Sequence, residues 1–133
     1  MMKRFMTLIG IILAATTFSA MAEESAGEME YMKFCANCHG ETGVGDGPIA
    51  GILTVDVPDV TLLAQANEGE FPFLETLMVI DGRTGVRGHG SNMPTWGDRY
   101  EREGLEVAGE YGAELIARGR LLALVEYIQS IQK

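Results

Sequence analysis

A chain of 133 residues with 22 % charged and 47 % hydrophobic side chains suits one small domain once a leader is set aside. Nineteen acidic residues against ten basic ones give a formal charge of −9, which argues against nucleic acid, whose phosphates need neutralising cations. The same charge favours a partner with a basic patch and association that weakens with salt, or else simply keeps the protein soluble.

The first segment reads as a secretory leader. Met1-Met2-Lys3-Arg4 is a short basic start, an apolar run follows over residues 5–15, and Ala20-Met21-Ala22 supplies a small-x-small cleavage pattern. The apolar run is too short for a span, which takes about 20 residues; a retained anchor is the alternative. Residues 1–22 are therefore expected to be a signal peptide and residues 23–133 the mature domain. Loss of Lys3 and Arg4 would leave that domain still more acidic.

Residues 24–38 read as a first helix, with Ser25 as N-cap and Glu28 three positions on. Gly27, Tyr31 and Cys35 recur at spacing four on one face, and a glycine there lets another helix approach closely. The helix ends in Cys35-Ala36-Asn37-Cys38-His39. Cys-x-x-Cys-His is a covalent haem attachment pattern. Thiols three apart share a helical face and can both bond one haem, and the adjacent imidazole can reach the iron from the same side. Other readings of these residues are weaker. A thioredoxin-like redox pair wants a preceding strand, and none is visible. A zinc site needs four ligands, and only His89 remains to complete one. A disulfide between residues three apart closes a very small loop and stabilises little.

Residues 40–60 are rich in glycine, with Pro48 and Pro58-Asp59, and read as loop. The Gly-x-x-Gly-x-Gly spacing is not a phosphate-binding loop, because no strand leads into it and no lysine follows. Backbone passing close to a haem edge suits these glycines. A carbonyl from this loop, with Pro48 as the candidate, is expected to accept the Nδ1 proton of His39.

Residues 71–80 predict an apolar helix offering Phe73, Leu74, Leu77, Met78 and Ile80, with Pro72 in its first turn and Gly82 at its end. A loop over residues 83–97 follows. Residues 98–112 are acidic and interrupted by Gly104, Gly109 and Gly112, so at most a short helix is expected. Residues 113–131 predict the longest helix, with Leu115, Ile116, Leu121, Leu122, Leu124, Val125 and Ile128 as its apolar stripe and Tyr127 near its end.

An electron-transfer haem has both axial positions filled, and a thioether opposite the histidine raises the potential. Met29 and Met32 lie on the helix that carries the cysteines, and Met78 sits in an apolar stripe. Met93 is the expected ligand, since Pro94 pushes it toward an extended conformation in a loop. His89 is the rival, which would give a bis-histidine iron. Asn92 is a candidate hydrogen-bond donor to the thioether sulfur, or a turn residue. Trp96 would pack on the haem or in the core. Arg83 and Arg87 would pair with propionates or stand exposed, while Arg118 and Arg120 are expected on the solvated side of the last helix.

With Cys35, Cys38, His39 and Met93 in this order, nearly the whole mature chain resembles the class I c-type cytochromes, small bacterial periplasmic members above all. Gly27 with Tyr31, and Leu124-Val125-Glu126-Tyr127-Ile128, are similar to the first and last helices that cross in that family. The chain lacks the lysine-rich face of mitochondrial carriers. The resemblance implies an all-α fold of about four to five helices around one haem c, held by Cys35 and Cys38 with His39 and Met93 on the iron. It also implies a periplasmic, non-enzymatic electron carrier, monomeric or in transient complexes with redox proteins. The alternatives are a permanent electron-transfer subunit of a dehydrogenase or oxidase, and a gas-binding or peroxidatic haem protein.

Overall fold

A computed structural model describes residues 24–83 and 93–133. The leader, the predicted cleavage site, and Arg87, His89 and Asn92 lie outside the described residues. Among those described the chain is all-α, with no strand. No described helix is long and apolar enough to cross a membrane.

Helix α1 (Ala26–Phe34) starts where expected. The Ser25 hydroxyl accepts the Glu28 amide at 3.1 Å, satisfying one of the helix's orphan donors. Cys35 interrupts it, and a single further turn, α2 (Ala36–His39), carries the second cysteine and the histidine. Short 3-10 turns at Ala50–Ile52 and Val60–Leu62 punctuate the loop, and the second runs into α3 (Leu63–Ala66). Helix α4 (Phe73–Asp81) closes on Gly82, whose φ of 70° is a left-handed cap.

Helix α5 (Trp96–Ser130) departs most from expectation. The acidic, glycine-bearing stretch is helical throughout rather than a short helix at most. It breaks only at Gly109, where φ 67° and ψ −179° suit glycine alone. Residues nine apart on a straight helix stand about 13.5 Å apart, yet a Cβ at Gly104 would collide with Ala113. The two limbs of α5 therefore fold against each other. Glycine at 104 permits their contact, and glycine at 109 permits the reversal.

Helix α1 crosses the second limb of α5. A side chain at Gly27 would run into the Ala123 carbonyl and Tyr127, so the glycine sets the closeness of the crossing. One turn on, the Tyr31 and Tyr127 rings meet at 5.3 Å. The buried stripe of α5 is Ala113, Ala117, Leu121, Leu124, Val125 and Ile128, spaced three or four apart except for the neighbours Leu124 and Val125. Leu115 and Leu122, expected in that stripe, fall off its face and are exposed, as is Leu74 on α4.

Two arginines tie the helices together, contrary to the expectation of solvated or cofactor-facing side chains. Arg120 grips Glu30 of α1 with two bonds, at 2.8 and 3.0 Å, and reaches Glu103 on the other limb at 2.7 Å. Its guanidinium lies 3.9 Å over the Tyr100 ring. Arg83, just past α4, meets Asp81 at 2.5 Å, Glu114 at 2.7 Å and Glu101 at 3.2 Å. Its donors are thus committed to carboxylates of the chain itself. Arg118, by contrast, is exposed and bonded to Glu114 one turn away.

Candidate functional site

The two cysteines and His39 owe their arrangement to the junction of α1 and α2. The Cys35 amide bonds the Tyr31 carbonyl at 2.8 Å and the His39 amide bonds the Cys35 carbonyl at 2.9 Å, so the motif continues in helical register. Cys35 is buried, Cys38 is half-buried, and both are free thiols. Burial pushes the Cys35 thiol up to about 12, with Glu30 and Cys38 adding to the effect. At neutral pH it is a thiol rather than a thiolate, which disfavours spontaneous disulfide exchange.

His39 Nδ1 lies 3.1 Å from the Pro58 carbonyl oxygen. A carbonyl only accepts, so the proton sits on Nδ1 and the lone pair on Nε2, the form that ligates metals. Burial lowers the imidazole pKa, and the bond to Pro58 works the other way. The orienting carbonyl is therefore that of Pro58 and not Pro48. The segment that follows Pro58 is fixed twice. Asp59 caps the following 3-10 turn through the Thr61 amide at 2.8 Å and its hydroxyl at 2.5 Å. The end of the chain then clamps that turn, with Gln132 bonding the Ala64 amide and the Val60 carbonyl, and Lys133 the Thr61 carbonyl. Asp59-x-Thr61 is a capping signal legible in the sequence; the reach of Gln132, across 68 residues to Ala64, is not.

The glycine loop passes close to α2 itself. The Gly45 amide bonds the His39 carbonyl at 2.8 Å and the Gly47 amide the Cys38 carbonyl at 3.1 Å, and a Cβ at Gly47 would strike the carbonyls of Asn37 and Cys38. These glycines let the loop wrap the back of the motif. The buried Tyr31 hydroxyl donates to the Gly40 carbonyl at 2.7 Å and ties the start of the loop to α1.

Two adjoining hollows share Cys35, His39, Pro58 and Met93 as walls. The larger, of about 420 Å³, is floored by apolar residues such as Val60, Leu63, Val79 and Ile80, in the size range of small-molecule pockets. The smaller adds Phe34, Cys38, Leu53, Val55, Val57 and Trp96. Met93, partly buried against the core, is thus brought to the cleft that holds the cysteine–histidine motif, across 54 residues from His39. Met29 and Met32 face solvent instead. Trp96 is buried between the cleft and the core, 5.2 Å from Phe34 and 5.9 Å from Tyr100.

This donor set suits a covalently held haem. Two free thiols stand on one wall, beside a neutral imidazole fixed through its other nitrogen, and a thioether completes a mostly apolar hollow. Among the described residues no group of three or more His, Cys, Asp or Glu could hold a metal ion, and His89, which the zinc alternative needs, lies outside them. No family model matches the chain, and no curated protein or solved structure is significantly similar to it.

Proposed function

We propose that the chain is an exported monohaem cytochrome of the class I c type, carrying single electrons between periplasmic or membrane redox partners. The observation that supports this most is that Cys35, Cys38, His39 and Met93 all line one apolar cleft. Cys35 and Cys38 would bond the haem through thioethers, and His39 Nε2 and the Met93 thioether would ligate its iron. When bound, such a haem accepts and donates one electron by cycling between ferric and ferrous iron. The chain's own work is positional. Pro58 orients the imidazole, Met93 would offer its thioether to the iron, and the apolar walls would exclude water and lower the local dielectric.

The test is spectroscopic. Pigment that stays with the exported chain through denaturing extraction is expected, together with an iron–thioether charge-transfer band in the oxidised protein. Met93→Ala should abolish the band while the pigment remains attached. A colourless chain, or freely released pigment, would overturn the reading. A band that survives in Met93→Ala would overturn the ligand assignment. A fast spectral change of the ferrous native protein with carbon monoxide would point to gas binding instead.

A permanent subunit of a redox complex is the second reading. It is favoured by the bare apolar side chains near the Gly109 reversal, where Val107 and Tyr111 are 78 % and 82 % exposed. Size-exclusion of native extracts separates the two, since a carrier elutes alone.

A further inference from the structure

Charge is unevenly distributed along this chain. Between Lys33 and Arg83 there is no lysine or arginine, while eight acidic residues occur. Two of the eight are met from outside, Asp81 by Arg83 and Asp59 by Lys133 at 3.8 Å. The other six, among them Asp56 and Glu75, are exposed, and among the described residues none pairs with a cation. Asp56 and Glu75 line the two hollows of the cleft. The same stretch also presents apolar side chains to solvent. Ile49, Ile52 and Val55 are 38 %, 81 % and 44 % exposed, on a loop whose Leu53, Val55 and Val57 wall the cleft beside Cys38 and His39. The Ile49 amide bonds the Asn37 carbonyl at 3.1 Å, which anchors the loop to α2.

We propose that residues 49–57 and the unpaired carboxylates around the cleft form a docking face for a protein that presents lysines or arginines around an apolar centre. The acidic surround steers and orients such a partner, and Ile49 and Ile52, which lie outside both hollows, lose water against its centre. Complementary charge is the argument for this occupant. An acidic or neutral partner would leave Asp56 and Glu75, at the two hollows, unanswered. That the contact serves electron transfer rests on the carrier reading; the contact itself does not.

The test uses the full exported chain, isotope-labelled, titrated at low ionic strength with a synthetic peptide of lysines flanking a central leucine pair. Amide shifts should concentrate at residues 49–57 and around the cleft and vanish in 0.5 M salt, about one-third of the Debye length at 50 mM. Asp56→Asn with Glu75→Gln should weaken binding about tenfold. Ile52→Ser should weaken it about threefold without changing the salt dependence, whereas oligolysine lacking leucine should not distinguish Ile52→Ser from the native chain. Neutralising Glu106 and Glu110 on α5 should leave binding unchanged. Shifts centred on α5, or equal weakening by either pair of neutralisations, would overturn the proposal. Pigment content, measured on the same samples, reports separately on the haem reading.

Discussion

Along α1 and α5 opposite charges meet: Arg120 holds Glu30 and Glu103, Arg99 holds Glu103, and Arg118 holds Glu114. From Phe34 to Gly82 the chain carries carboxylates with no lysine or arginine of its own. The two regions are also held together differently. In the α1–α5 pair, side chains decide the arrangement, through an apolar stripe, a glycine crossing and ion pairs that sit partly buried. Around the cleft, backbone hydrogen bonds and caps decide it, through Gly45, Gly47, Thr61 and the carbonyl of Pro58. A helical frame can thus stay fixed while a loop-built region keeps its side chains available for a ligand and a partner.

The sharpest break in that contrast is Gly27→Val. Its methyls have no space against the Ala123 carbonyl and Tyr127, so urea unfolding should show a loss of about 3 kcal/mol. A loss confined to the cleft, with α1 and α5 still docked, would contradict the assignment of this crossing to the frame.

Next comes Tyr31→Phe, which takes one of two donors from the buried Gly40 carbonyl at the seam between the two regions and leaves it only the Gly43 amide at 3.2 Å. The expected cost is about 0.5–1.5 kcal/mol, that of one lost hydrogen bond, accompanied by faster amide exchange in the loop after His39. Stability unchanged within error would remove the hydroxyl from the account.

Acid should act on the frame first. Glu114 is held below the ordinary carboxylate value of 4.5 chiefly by the Arg83 hydrogen bond, and Glu103 chiefly by Arg120. A depressed native pKa means that the unfolded chain binds more protons as the pH falls through this range. The contribution is complete above about 4.5 and is lost below it. Thermal melting across pH 3–6 should therefore show Tm falling on the acid side, with a shallower slope in Arg83→Gln. Both carboxylates are partly exposed, so the effect is small and further reduced by salt.

The smallest effect is expected from Tyr100→Phe. The Tyr100 hydroxyl is buried beside Glu30 with no well-formed hydrogen bond among the described residues, and burial first, then Glu30, pushes its pKa up. Removing an unsatisfied group leaves no orphan behind, so stability should stay within about 0.5 kcal/mol or rise. A loss as large as that of Tyr31→Phe would mean that this hydroxyl has a partner after all.

Much of this was readable from residues near one another in the chain. The Ser25 cap, the Gly82 stop, the all-α class and the Cys35–His39 turn depend on spacings of three or four and on local backbone preference. The same local reading misplaced what depends on distant contacts. It kept Arg120 in solvent, because a helical periodicity does not reveal that Glu30 arrives from 90 residues away. It took the three glycines of residues 98–112 as helix breakers, when only Gly109 breaks the helix and Gly104 makes room for the opposing limb. It named Pro48 where Pro58 is the acceptor, because the choice between two loop carbonyls is made by the Asp59 cap and by Gln132.

The sequence alone determined which atoms are offered: two thiols and an imidazole within five residues, and a thioether ahead of a proline. Those are covalent and short-range facts, so neighbouring residues suffice to state them. The tertiary structure alone decided that Met93 shares a cleft with them, that Pro58 orients His39, and that Asp56 and Glu75 stand at that cleft with no cation on them among the described residues. Each of these requires segments far apart in the chain to meet, and the stripe on α5 together with the Gly27 crossing brings them together.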